Sequence, residues 1–123
     1  MGLDMYLTGN RYFFKPGRKR GENKAELIDL GYWRKHPNLH GYIVQTFADG
    51  VDKCQEIDLS ADDIRKIIAA IEGNELPETL GFFFGVSDGT EKDQDLQIFR
   101  EAVTWLEADD ADGWRSIYYQ ASW

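Results

Sequence analysis

The sequence predicts an α+β fold: one antiparallel sheet of four to five strands with about three helices packed on one side. Three observations carry this. Period-two alternation at the start and an aromatic run at the end read as strands. Three stretches in between carry apolar residues at helical spacing. The elements do not alternate in the strict βαβ manner that a parallel sheet needs. At 123 residues the chain is a single domain, 1–123, large enough to bury a core without staples.

The elements follow in order. In "GLDMYLT", Leu3, Met5 and Leu7 fall on one face and Asp4, Tyr6 and Thr8 on the other, which is strand periodicity. "RYFF" continues it until Pro16-Gly17, and "AELIDLGYWR" rises again as a second strand, so the two form a hairpin. Its tip, "KPGRKRGENK", is a basic loop with Lys15, Arg18, Lys19, Arg20 and Lys24. A solvated turn is the first reading of that loop; contact with nucleic acid or an acidic protein is the sharper one.

Pro37 biases His36 toward extended backbone, and Asn38 is a good N-cap for a helix over "LHGYIVQTF", where Leu39, Ile43 and Phe47 recur at helical spacing. His36 and His40, four residues apart, then do not share a helix face. No further His or Cys lies nearby to complete a zinc set, so no metal is expected. "VDKCQEIDL" reads as a strand. In "LSADDIRKIIAAIEGN", Ser60 and Asp63 make a capping-box variant, Leu59 and Ile64 a hydrophobic staple, and Ile64, Ile67, Ile68 and Ile71 an apolar stripe. Gly73-Asn74 stops that helix.

"GFFFG" reads as a short buried strand at 82–84, because a phosphate loop needs small residues between its glycines. A third helix runs from about Asp93 to Glu107, with Leu96, Phe99, Val103 and Leu106 inward, joined by Ala102 and Trp105. "EADDADG" ends it, and "WRSIYYQASW" is a final strand that pairs with the first.

The formal net charge is −8, unevenly spread: residues 1–40 sum to +4 and residues 41–123 to −12. Such acidity disfavours direct nucleic-acid binding. Cys54 is the single cysteine, so no internal disulfide is available, which fits a reducing cytosol. No run reaches the roughly 20 apolar residues of a membrane span, and "MGLDMYLTGN" lacks the pattern of a secretory signal.

Chemistry has one candidate location. Trp33, Arg34, Lys35, Asn38 and His40 gather at a strand–helix junction, where the first amides of a helix favour negative charge, cations stand beside them and an indole offers a stacking surface. An ordinary capped helix beside surface cations is the competing reading. Cys54 with His40 would make a nucleophile and base, but nothing nearby in sequence activates the thiol, and a buried cysteine in a strand is commonplace. No nucleophile elbow, nucleotide fingerprint or zinc signature is present, no cofactor is expected, and no catalytic residue stands out.

"MGLDMYL" at the start and "YYQASW" at the end, with "YWRK", "GVDKC" and "GFFFG" between, resemble an uncharacterised family of small acidic bacteriophage and prophage proteins. The family pattern follows "YWRK" with an Asn and a His, matched here by Asn38 and His40. His36-Pro37, Gly41 and Ala121 depart from it, the last where the family ending has a serine. The resemblance implies a phage accessory protein of the bacterial cytoplasm that binds a host protein, such as a component of a defence system, without enzymatic activity. Its acidic surface, with Asp109, Asp110 and Asp112 in the turn after the third helix, is the expected contact. A small anionic or nucleotide ligand at the Trp33–His40 junction is the alternative.

Overall fold

The computed structural model describes residues 2–13, 25–79, 87, 89–110 and 113–123. It is an α+β fold in the order β1 (Asp4–Phe13), β2 (Ala25–Arg34), α1 (Pro37–Phe47), β3 (Ile57–Leu59), α2 (Ala61–Glu72), α3 (Lys92–Glu107) and β4 (Gly113–Ser122). The four strands form one antiparallel sheet in the order β2-β1-β4-β3. The expected short strand at 82–84 and the whole of the basic loop, 15–24, lie outside the described residues. Among the described residues no helix is long and apolar enough to cross a membrane.

The two ends of the chain lie side by side in the sheet. β1 and β4 pair over their whole length, Asp4 opposite Ser122 and Phe13 opposite Gly113, without a register shift. The β1–β2 ladder slips by one residue between Leu7 and Thr8, so Leu30 is the extra residue of a bulge. Leu3, Met5 and Leu7 are fully buried, as their alternation predicts, and across the ladder Met5 faces Ala121 and Leu7 faces Tyr119. Trp33 stacks on Phe99 of α3, ring centroids 5.3 Å apart. Gly9 lets α3 come close: a Cβ there would stand 2.7 Å from the Trp105 ring.

Two local expectations need correction. The N-cap of α1 is His36, with Pro37 at the first helical position, and no side chain of the cap itself bonds the helix. Asn38 is inside the helix and its side chain accepts from the Thr79 amide at 3.0 Å instead. Only Ile57–Leu59 of "VDKCQEIDL" pairs as strand. Cys54 sits in a bend with φ of 59°, a left-handed conformation that ends strand geometry before it starts. α2 begins as its sequence predicts, Ser60 Oγ accepting from Asp63 N and Asp63 accepting from Ser60 N. At its end the left-handed residue is Asn74, φ 54°, one beyond Gly73.

Candidate functional site

Both histidines are buried, each at the centre of a four-membered chain of the same composition. His36 Nδ1 lies 2.7 Å from Ser87 Oγ and His36 Nε2 lies 2.7 Å from Asp95 Oδ2. Trp33 Nε1 donates to Asp95 Oδ1 at 2.6 Å. His40 Nδ1 lies 2.6 Å from the Tyr119 hydroxyl and His40 Nε2 lies 2.8 Å from Asp52 Oδ2. Trp123 Nε1 donates to Asp52 Oδ1 at 3.1 Å. In each chain a carboxylate, which only accepts, orients the imidazole. The nitrogen facing it is therefore the N–H, and the other nitrogen accepts from the hydroxyl in the neutral ring.

The local backbone places the first chain. Pro37 starts α1 and offers no N–H. The next amide, Asn38 N, donates to Ser87 Oγ at 3.1 Å, so Ser87 supplies the cap that His36 does not. Asp95 lies in the first turn of α3, where the helix dipole favours a carboxylate. It shares a stripe with Phe99 and Ala102, at i, i+4 and i+7, and all three are buried. A carboxylate on an otherwise apolar stripe is the sequence signal that could have found this chain. Ser87 has no such signal, being joined to His36 only by tertiary packing.

The two chains differ in what surrounds the hydroxyl. Tyr119 is fully buried, and burial, with Asp52 and Cys54 nearby, holds its phenol well above the ordinary value. Ser87 instead opens on a cavity of about 190 Å³. Its lining combines the polar side chains of His36, Asp95, Glu91 and Asn38 with the apolar Ile71 and Leu76, and includes Lys92 and Asn74. Lys92 Nζ donates to Asn74 Oδ1 at 3.1 Å and to the Glu72 carbonyl at 3.3 Å. Glu91 Oε1 stands 3.9 Å from His36 Nδ1.

The five residues expected to form an anion site are not brought together. Trp33 is buried with its indole committed to Asp95, so it offers no stacking surface. His40 is buried in its own chain. Arg34 and Lys35 are exposed, and neither lines the cavity. Lys35 takes φ of 56° and its amide donates to Leu3 O at 2.7 Å, which fixes the turn into α1. Asn38 alone of the five reaches the cavity. Among the described residues no group of three or more His, Cys, Asp or Glu could hold a metal ion.

The acidic turn also divides. Asp109 is exposed. Asp110 corrects the expectation of a free acidic surface: its carboxylate accepts from Arg11 Nε at 2.6 Å, from Arg11 Nη2 at 3.0 Å and from Arg115 Nε at 3.0 Å. Those bonds, Arg11 first, hold its carboxyl well below the usual range. Asp112 lies outside the described residues.

A second surface emerges from the sheet register, since residues directly opposite share a face. The face turned from the helices carries Asp4, Tyr6, Thr8, Asn10 and Tyr12 of β1. β4 adds Trp114 and Tyr118 opposite Tyr12 and Thr8. β2 adds Arg34 and Tyr32 opposite Asp4 and Tyr6, then Asp29 and Leu27 beyond the bulge, and β3 adds Asp58. Tyr6 packs on Tyr32 at 5.3 Å and Tyr12 on Trp114 at 5.5 Å between centroids. The Tyr32 hydroxyl donates to Asp4 at 2.6 Å, which raises the phenol above its ordinary value. Of the seven large apolar side chains exposed among the described residues, five stand here: Tyr6, Tyr12, Leu27, Tyr32 and Trp114. Comparison with protein-family models, with curated proteins and with solved structures finds no match.

Proposed function

We propose that this protein acts by binding, as a phage accessory protein that occupies a basic surface of a host protein in the bacterial cytoplasm, and that the open sheet face makes the contact. The observation that carries the reading is the concentration of five of the seven exposed large apolar side chains on that one face. Tyrosine and tryptophan are the residues over-represented at binding hot spots, because they bury much area at little conformational cost. Among the described residues Asp4, Asp29 and Asp58 share the face with a single cation, Arg34, so a partner rich in Lys or Arg is the complementary one. The phage and host parts of the reading rest on the resemblance of the short blocks at both ends and between them.

The acidic turn contributes less than its sequence suggests, because Asp110 is already held by two arginines. The alternative, a small anionic ligand at Trp33–His40, loses support from the dispersal of those five residues and from the two carboxylates, Asp95 and Glu91, that line the cavity. Stacking on the aromatics would also suit single-stranded nucleic acid, but the carboxylates on the face oppose a phosphate backbone.

The test is capture of partners from bacterial lysate by tagged protein, followed by binding of the purified partner. Tyr6→Ala with Trp114→Ala should weaken the purified complex at least ~30-fold, the scale of losing one hot spot of about 2 kcal/mol. Association should slow as salt rises, and Asp109→Lys should change affinity far less. Full affinity in the folded double variant, or capture of nucleic acid alone, would overturn the reading.

A further inference from the structure

Among the described residues the hydroxyl–imidazole–carboxylate–indole chain occurs twice, and the copy at His36 lines a cavity. At His40 the hydroxyl belongs to Tyr119, sealed in the core, and the chain is a structural tie. At His36 the hydroxyl is a primary alcohol on the wall of a cavity of about 190 Å³. An alcohol that donates to an imidazole, itself oriented by a buried carboxylate, is the constellation that activates a serine for attack on an acyl group. It is recognised by geometry and roles and not by order in the chain. The ring is turned so that Nδ1 faces the serine and Nε2 the carboxylate; either nitrogen serves as base, because in neutral imidazole one accepts while the other donates. The Asp95 carboxylate is itself fixed by Trp33 at 2.6 Å, so the imidazole has one orientation.

We propose that Ser87 is the nucleophile of a small acyl-ester hydrolase site, with His36 as general base and acid and Asp95 as a positioning residue. Ser87 Oγ forms a bond to the ester carbonyl carbon as its proton passes to His36 Nδ1. The carbonyl electron pair moves onto oxygen and returns as the carbon–alkoxy bond breaks. The alkoxide leaves with the proton from His36, and Ser87 keeps the acyl group. Water then attacks the acyl carbon, gives its proton to His36, and Ser87 Oγ departs and recovers that proton. The sum is ester plus water to acid plus alcohol. The Asn38 amide at the start of α1 donates to Oγ itself at 3.1 Å and so holds the nucleophile in place, and Lys92, which lines the same cavity, is the cation available to negative charge that develops on the carbonyl oxygen. Ile71 and Leu76 in the lining, with the small volume, suit a short aliphatic acyl group and not a long chain. This site shares no residue with the open sheet face, and either assignment can fail without the other.

The test uses the full chain with two probes: an alkyl fluorophosphonate, read by peptide mass, and p-nitrophenyl acetate and butyrate, read by product release. Wild type should carry one phosphonyl adduct, on Ser87. Ser87→Ala should remove the adduct and lower hydrolysis at least ~100-fold. Ser87→Cys, which keeps a nucleophile beside His36, should still be acylated at position 87. His36→Gln should abolish labelling. Asp95→Asn should lower kcat ~100-fold or more with little change in KM, a split that a purely structural role would not produce. Each variant is first shown to melt cooperatively. No adduct on wild type, an adduct elsewhere than Ser87, or labelling that survives His36→Gln in a folded protein would overturn the proposal and leave the chain as a second structural tie.

Discussion

Tyr119→Phe isolates one hydrogen bond in the core. The ring stays, so the stack of buried side chains around it keeps its volume; only the hydroxyl 2.6 Å from His40 Nδ1 is lost. Both residues are buried, Tyr119 at 0% and His40 at 2% exposure, so water does not replace the missing donor. The orphaned imidazole nitrogen then costs about 1–3 kcal/mol. For a domain of this size a kcal/mol shifts Tm by roughly 3–5 °C, so Tm should fall by roughly 3–15 °C. The urea midpoint should drop with no change in m, since the exposed area on unfolding is the same. The pH dependence gives a second reading. Burial, then Asp52 and Cys54, raise the Tyr119 phenol above its ordinary 10.0. The stability it contributes is fully present below about pH 10 and is lost as pH rises through the folded value. The gap between wild type and variant should therefore close on the alkaline side. A variant that melts within about 1 °C of wild type at pH 7 would refute the buried-chain reading of His40, because loss of a satisfied buried bond cannot be neutral.

Two further outcomes are expected. Asp110→Asn should destabilise at neutral pH by loosening the clamp of Arg11 and Arg115 that joins β1, β4 and the turn after α3. Because the folded carboxyl is held below its ordinary value of about 3.9, that contribution is present above about pH 4 and is lost as pH falls below it; chemical denaturation from pH 7 to pH 3 should show the two proteins converging, and a constant gap would contradict the clamp. Gly41→Ala should cost about 1–3 kcal/mol by overpacking, since the new Cβ would meet the Thr79 side chain and push its amide from Asn38. Adding Thr79→Ala should recover part of the loss in thermal melts, and no recovery would locate the clash elsewhere.

The sequence alone determined the class of fold and most of its elements, because those depend on short-range regularities. Alternation buries Leu3, Met5 and Leu7, the spacing of Ile64, Ile67 and Ile71 buries one face of α2, and Ser60 with Asp63 starts that helix. Each of these acts within a few residues, where periodicity and capping are legible. It also placed His36 just before α1 and His40 in its first turn by reading the Pro37 boundary. The sites were decided by tertiary structure. Ser87, His36, Asp95 and Trp33 come together across separations of 51, 59 and 62 residues, and no local pattern encodes such pairings. The same packing removed Trp33 and His40 from the surface and tied Asp110 to Arg11, 99 residues away. It gathered Tyr6, Tyr12, Tyr32 and Trp114 onto one face through strand register, since helices cover only one side of the sheet. A residue's chemistry can be read from its type; whether it is exposed, and what it faces, is set by parts of the chain that meet only on folding.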